Sequence, residues 1–343
     1  MTRLHSIDRR LRFQRGGVVI WFALLLPVLL GFAALAVDLT RLHLVKVELQ
    51  NAADAAAMGG ARSLTDAGSV SGEKFNWAAA SAKALELARQ NVANGSQIQD
   101  ATIETGYWNL QSRSWADTPG TGYFPAVRAT IAISGEQNNG PLGLLFAPVL
   151  GIDDTNVEAT ATAVIAAPSG GTGLFPFVIG MKMLDHFWDT STSSPVLYNG
   201  VAKTINLGSI YTFDGEEVLS GQWTTFQSSV KNPDVPFMRD LIDNGNETEL
   251  SIGDNTYIQP GAKATLYSEV PVGTTVGMFI VDEVDTNSFV PIVAIAAFHI
   301  DGYSQGGKYI TGHFVDAAII PGLDPGDGSG GLYGAYTPPI LVK

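Results

Sequence analysis

RGGVVIWFALLLPVLLGFAALAVDLTRLHLVKVELQNAADAAAMGGA, residues 15–61, decides how the rest of the chain is read. Residues 16–37 carry no charged side chain over 22 consecutive positions. At about 1.5 Å rise per residue, a helix of that length crosses a hydrocarbon layer of roughly 30 Å. Pro27 lies inside the run; in water it would break a helix, but in lipid the backbone has no competing partner and the helix continues with a kink. The helical pattern does not stop at Asp38. Leu39, Leu42, Val45 and Leu49 recur at spacings of three and four, followed by Ala52, Ala53, Ala56 and Ala57. Gly59 and Gly60 are then the expected end of one rod running from about 18 to 58, on the order of 60 Å long.

The small-residue face at Ala52, Ala53, Ala56 and Ala57 is the candidate functional surface, because alanines at this spacing let a second helix approach closely. Two partners fit it. One is a helix of another protein; the other is the chain's own second helical stretch, residues 75–94, which carries Ala80, Ala84 and Ala88.

The residue order R-G-x(5)-F-A-L-x(2)-P-x(2)-L-G-x(3)-L-A-V-D, followed by LQNAADAAAMGGA, resembles the N-terminal segment of the TadE/TadG-like proteins of the Tad (Flp, tight adherence) pilus system. The likeness covers about the first 65 residues. Type IV pilins and the TadE-like pseudopilins are similar here but place a Glu five residues after the cleaved Gly. This chain has Trp21 five residues after Gly16 and Phe22 five after Gly17, which favours the TadG side of the family. The resemblance implies a structural or assembly component of the pilus, minor pilin-like or tip-like, whose partners are other Tad proteins: pilin-like subunits and the inner-membrane platform.

Charge sets an expected orientation. Arg3, Arg9, Arg10, Arg12 and Arg15 stand against Asp8 alone before the span, a local +4, so the remainder of a chain of net charge −13 carries −17. Basic residues beside a span stay on the cytoplasmic side, which places residues 1–15 inside, residues 16–37 across the bacterial inner membrane, and the rest in the periplasm or carried outward on a filament. An acidic exterior repels phosphates and argues against nucleic acid as a partner. The absence of cysteine removes disulfides, thiolate nucleophiles and Cys-ligated metals. A cleaved signal ending at Ala34-Leu35-Ala36 is the rival reading. The apolar run is longer than a signal core of about 7–15 residues and the helical pattern runs through the cut, so an uncleaved anchor is expected.

The 343 residues, 45% hydrophobic with 38 glycines, suffice for two folded units. The expected class is α+β: a single transmembrane helix continuing as a long pilin-like helix, a small α/β domain, and a mostly antiparallel β domain, sandwich or barrel-like. Residues 38–167 form the stalk and first domain, with the helix at 75–94 ended by Asn94-Gly95, strands at 101–110, 126–134 and 156–166, and a short apolar helix at 141–151. Residues 168–173 (PSGGTG) read as a linker. The second domain, 174–343, reads as strands at 203–213, 256–268, 275–284, 289–300 and 308–319. It also has one helix at 234–244, an ambiguous segment at 178–184, a loop at 321–331 and a closing edge strand at 336–342.

Three patterns invite chemistry. Gly302-Tyr303-Ser304-Gln305-Gly306 is a literal G-x-S-x-G, but a nucleophile elbow needs a following helix and a later histidine in the order Ser, Asp, His. The sequence after it is strand-like, and His313 precedes Asp316, so a hairpin loop is the better account and a serine hydrolase at Ser304 is a remote third function. Asp189-Thr-Ser-Thr-Ser193 matches the D-x-S-x-S motif of von Willebrand factor A domains, yet no buried apolar strand leads into it and Pro195 follows; a polar surface loop is expected. The acidic turns at 214–217, 243–249, 282–285 and 324–327 lack calcium-loop spacing. His5, His43, His186 and His299 have no sequence neighbour at ligand spacing. The sequence thus points to a non-enzymatic protein with no cofactor, anchored by 16–37. A surface adhesin or binding module held by the same anchor is the alternative function.

Overall fold

The computed structural model describes residues 17–67, 73–228, 230, 233–261, 264–326 and 330–342; the arginine-rich terminus, on which the orientation argument rests, lies outside them. The first element is one helix, α1 (Gly17–Arg62), which keeps Pro27 inside it. At 46 residues it is about 70 Å long. Its two halves differ completely in environment. Nearly every side chain from Val18 to Val37 is exposed, while Val45, Leu49, Ala52, Ala53, Ala56, Ala57 and Ala61 are buried.

Gly59 and Gly60 do not end the helix, which runs on to Arg62 and tightens into a 3-10 turn, Ser63–Thr65. They are glycines because of what lies across from them. A Cβ on Gly60 would sit 2.9 Å from Ala84 Cβ, 2.9 Å from Val127 Cγ1 and 3.0 Å from the Ala80 carbonyl oxygen, and one on Gly59 would collide with Leu87 Cδ1. Close approach of α1 to the second helix requires the missing side chains.

That second helix, α2 (Trp77–Arg89), is capped by Asn76, whose side-chain oxygen accepts from the Ala79 amide. It ends five residues earlier than the sequence suggested. Asn94-Gly95 is the turn of a short hairpin pairing Val92–Ala93 with Ser96–Gln97, both turn residues having positive φ. The Asn-Gly pair therefore served a two-residue hairpin, not a helix stop.

Both helices pack on one face of a five-stranded antiparallel sheet ordered Ile340–Val342, Val157–Val164, Tyr123–Ile133, Thr102–Asn109, Ser114–Ala116. Period-two alternation directs Val127, Ala129, Ile131, Ala159, Ala161 and Ala163 to the helices. Small residues on helix and strand alike let the layers sit close. The expected helix at 141–151 is instead a loop containing a two-residue strand and a 3-10 turn, Ala147–Leu150, because Pro148 and the left-handed Gly151 leave no room for further turns.

Pro168 to Gly173 is packed structure. Gly170–Gly171 is the central strand of a three-stranded sheet between Leu250–Ser251 and Leu323–Asp324. A Cβ on Gly170 would lie 2.9 Å from the Leu250 carbonyl oxygen, and one on Gly171 would lie 2.7 Å from the Gly322 carbonyl oxygen. A glycine-rich stretch that reads as a linker is here a buried strand whose neighbours approach too closely for side chains.

The remainder is built on a seven-stranded sheet: Ile205–Leu207, Tyr309–Phe314, Ser288–Ser304, Thr275–Val281, Phe177–Gly180 and Gly221–Trp223 in order, with Asn255–Ile258 added to the far end of the long strand. All pairs are antiparallel except Phe177–Gly180 with Thr275–Val281. Both faces are buried, which explains the near-continuous apolar run Ile292 to Ile300. One face packs on α3 (Met181–Phe187) and α4 (Val235–Asn244). The other packs on the small sheet through Leu250 and Leu323, giving an uneven sandwich. Of the strand expected at 256–268, only the start lies in a strand, Asn255–Ile258, while Ala264–Glu269 is a 3-10 turn, and 178–184 divides into strand and helix at Gly180. The closing strand Ile340–Val342 leaves this unit and completes the first sheet, with Leu341 opposite Ala163. The two units are therefore joined at both ends of the β region.

Candidate functional site

Ala52, Ala53, Ala56 and Ala57 are all fully buried within the chain's own core, against α2 and the first sheet. Of the two partners the sequence left open, the one occupying the face in this structure is α2, through Ala80, Ala84 and Ala88, together with Val127 and its sheet neighbours. No surface of these alanines is left for another chain. The physical reason is that a small-residue stripe favours close approach of any helix, and the nearest helix is the one that is covalently attached.

A buried carboxylate and a group of exposed apolar side chains in the loop 141–152 meet where α1 leaves the globular part. Asp38, the first charged residue after the apolar run, is 2% exposed. Its Oδ1 accepts from the Leu145 amide at 2.9 Å, and its Oδ2 accepts from Phe146 at 2.9 Å and Ala147 at 2.8 Å. Three successive backbone N–H groups thus converge on one carboxylate at the start of the 3-10 turn. Burial pushes the Asp38 carboxyl up, but the three amides and Arg41 outweigh it and hold it below its ordinary 3.8. Arg41, one turn further, donates through Nη1 to the Gly143 carbonyl at 2.8 Å and through Nη2 to Asn94 Oδ1 at 3.2 Å. In the sequence Asp38 closes the L-A-V-D motif, and nothing near it in the chain shows what it binds. A lone acid at the polar end of an apolar run was the available signal.

Asp38 and Arg41 hold the loop 141–152 against the helix, so that Phe146, Val149 and Leu150 face Pro27, Leu30 and Ala34 across an open apolar groove of about 610 Å³. Leu145, Phe146, Val149, Leu150 and Ile152 are all exposed, Val149 to 88%.

A second junction lies between the two β units. Lys74 Nζ donates to the Ser193 carbonyl at 2.6 Å and sits 5.6–5.9 Å from the ring centroids of Phe75, Trp188 and Tyr336. Phe75 and Tyr336 belong to the core around α1, Trp188 to that of the larger sheet. Burial draws the Lys74 amine down to about 8 although Asp316 opposes it. Burial likewise raises the Tyr336 phenol.

The remaining sequence candidates fall into ordinary roles. Ser304 ends the long strand, and its Oγ accepts from the Gly307 amide at 3.1 Å within the hairpin turn. Asp189 Oδ1 accepts from the Ser191 amide and hydroxyl at 2.8 and 2.7 Å, closing an exposed turn. His299 does acquire neighbours that sequence spacing hid. Strand pairing sets it opposite His313, whose Nδ1 is 2.8 Å from Asp301 Oδ2. Among the described residues no group of three or more His, Cys, Asp or Glu is placed to hold a metal ion.

A long helix that is apolar and exposed in one half and built into an antiparallel β core in the other defines an α+β protein with a candidate N-terminal membrane anchor, its most apolar window having a mean hydropathy of 2.7. Residues 16–63 match the family described as Flp pilus-assembly TadE/G-like, and residues 59–163 match the one described as Tad-like Flp pilus-assembly. Across these adjoining segments, which span α1, α2 and the strands of the first sheet up to Ala163, the chain is similar to Tad (Flp) pilus-assembly proteins. No curated protein and no solved structure matches it. The family suggests a structural or assembly role in a Tad pilus rather than catalysis.

Proposed function

We propose that the chain is a membrane-anchored structural component of the Tad pilus, a minor pilin-like subunit on the TadG side of the family, with residues 16–37 in the inner membrane, the arginine-rich terminus cytoplasmic and the β units periplasmic. The observation that carries this reading is the division of α1: the same continuous helix is lipid-compatible on all sides before Asp38 and is the central core element after it. A helix shared between bilayer and head, with no linker between them, couples the position of one to the other, which suits a subunit that other pilin-like proteins or the inner-membrane platform must align. Two measurements test it. Protease added to spheroplasts removes the segment after Asp38 and spares the terminus; protection of the β units refutes the orientation. Sheared pili carry the protein if it is a filament subunit, and its retention in the membrane fraction refutes that role.

A further inference from the structure

The loop 141–152 contains no charged residue. Five of its large apolar side chains are exposed, a density that soluble surfaces rarely carry without a partner. Its location identifies the partner. Asp38 and Arg41 clamp the loop at the polar end of the apolar run, and from there it extends toward the N-terminus of α1, alongside Pro27, Leu30 and Ala34. Leu30 lies eight residues before Asp38, about 12 Å along the helix axis. If residues 16–37 lie in a bilayer, a loop tied at that level and hanging beside the span has lipid around it, not water.

We propose that Leu145, Phe146, Val149, Leu150 and Ile152 insert into the periplasmic leaflet beside the transmembrane helix and form a second, monotopic membrane contact. This rests on the anchoring of residues 16–37. The loop suits the task chemically. Asp38 satisfies three of its backbone amides, and the amides of Val149, Gly151 and Ile152 donate to carbonyls within the same turn, so little unpaired backbone enters the lipid. Arg41 stands at the level where its guanidinium meets headgroups. A single helix leaves the head free to rotate about the helix axis relative to the membrane; a second contact to one side of it fixes which face of the first sheet points along the bilayer.

The absence of native cysteine allows a direct test in the full-length protein. Val149→Cys, Leu29→Cys and Ser112→Cys are each labelled with an environment-sensitive fluorophore and placed in phosphatidylethanolamine/phosphatidylglycerol vesicles containing doxyl-labelled lipid. Ser112 is exposed in the turn at the opposite end of the first sheet. The expected result is that labels at 149 and 29 both lose most of their emission to the lipid quencher while the label at 112 responds only to aqueous iodide. A label at 149 that behaves like the one at 112, with 29 still quenched, overturns the insertion and leaves the anchor standing. Shielding of 149 from both quenchers overturns it in favour of coverage by protein, such as a second copy. Absence of lipid quenching at 29 removes the anchor and the inference together.

Discussion

Gly60→Ala tests whether the close approach of α1 to its neighbours, and not helix propensity, fixes Gly60. In an exposed helix this change would stabilise by about 1 kcal/mol. Here the added methyl meets three atoms at 2.9–3.0 Å, two of them Ala84 Cβ and the Ala80 carbonyl oxygen, which cannot rotate away. Ordinary carbon contacts lie at about 3.5–4.0 Å, so α1 and α2 must separate by a large fraction of an ångström along a seam of fully buried alanines. Overpacking of that kind costs about 1–3 kcal/mol, and three simultaneous contacts at or below 3.0 Å place it in the upper part of that range, about 2–3 kcal/mol, so net of about 1 kcal/mol of propensity the variant should lose about 1–2 kcal/mol. In a detergent-solubilised full-length protein of this size that is a fall in Tm of about 1–3 °C. Gly31→Ala is the matched control, since nothing lies within 4 Å of its Cβ position. Gly59→Ala should fall between them, because its obstacle is the mobile end of Leu87. A Gly60→Ala protein as stable as wild type, or more so, would refute the close-packed seam.

Asp38→Ala strands three amides, so hydrogen exchange at Leu145, Phe146 and Ala147 should accelerate while the strand Tyr123–Ile133 keeps its protection; unchanged exchange at the three amides would show that the carboxylate does not hold the loop. Because the Asp38 pKa is lowered in the folded chain, its contribution is present above about 3.8 and is lost as pH falls through the folded value, so the same acceleration should appear in the wild-type protein under acid. Lys74 has the opposite consequence. With its amine drawn from 10.5 to about 8, the folded chain holds fewer protons than the unfolded one between those values, and stability should rise with pH across that window. Lys74→Met should flatten that part of the Tm profile; an identical slope in the variant would remove Lys74 as its source. Ser304→Ala should change stability by less than about 0.5 kcal/mol, and a fluorophosphonate probe should leave the wild-type serine unlabelled.

What the sequence alone determined is what local chemistry dictates. Twenty-two uncharged residues with a polar boundary at Asp38 specify a helix long enough to span lipid, and spacings of three and four carry that helix onward. Asp234 and Gly245 bound α4 because an N-cap acceptor and a positive φ are properties of single residues. Alternation placed the strands at 102–109, 123–133 and 157–164 within a few residues. The tertiary structure decided everything that depends on what lies opposite. Gly59-Gly60, Asn94-Gly95 and Gly170-Gly171 are similar in sequence, yet one is a packing seam, one a hairpin turn and one a buried strand. At Gly60 and Gly170-Gly171 the glycine records that a Cβ is excluded, and the atom that excludes it is distant in sequence; Gly95 has open space around it and serves the positive φ of its turn. The same holds for the alanine face, which specified closeness without naming the partner. It holds too for Asp38, whose three donors lie more than one hundred residues away and reach it only because the sheet brings the loop 141–152 back to the helix where it leaves the head.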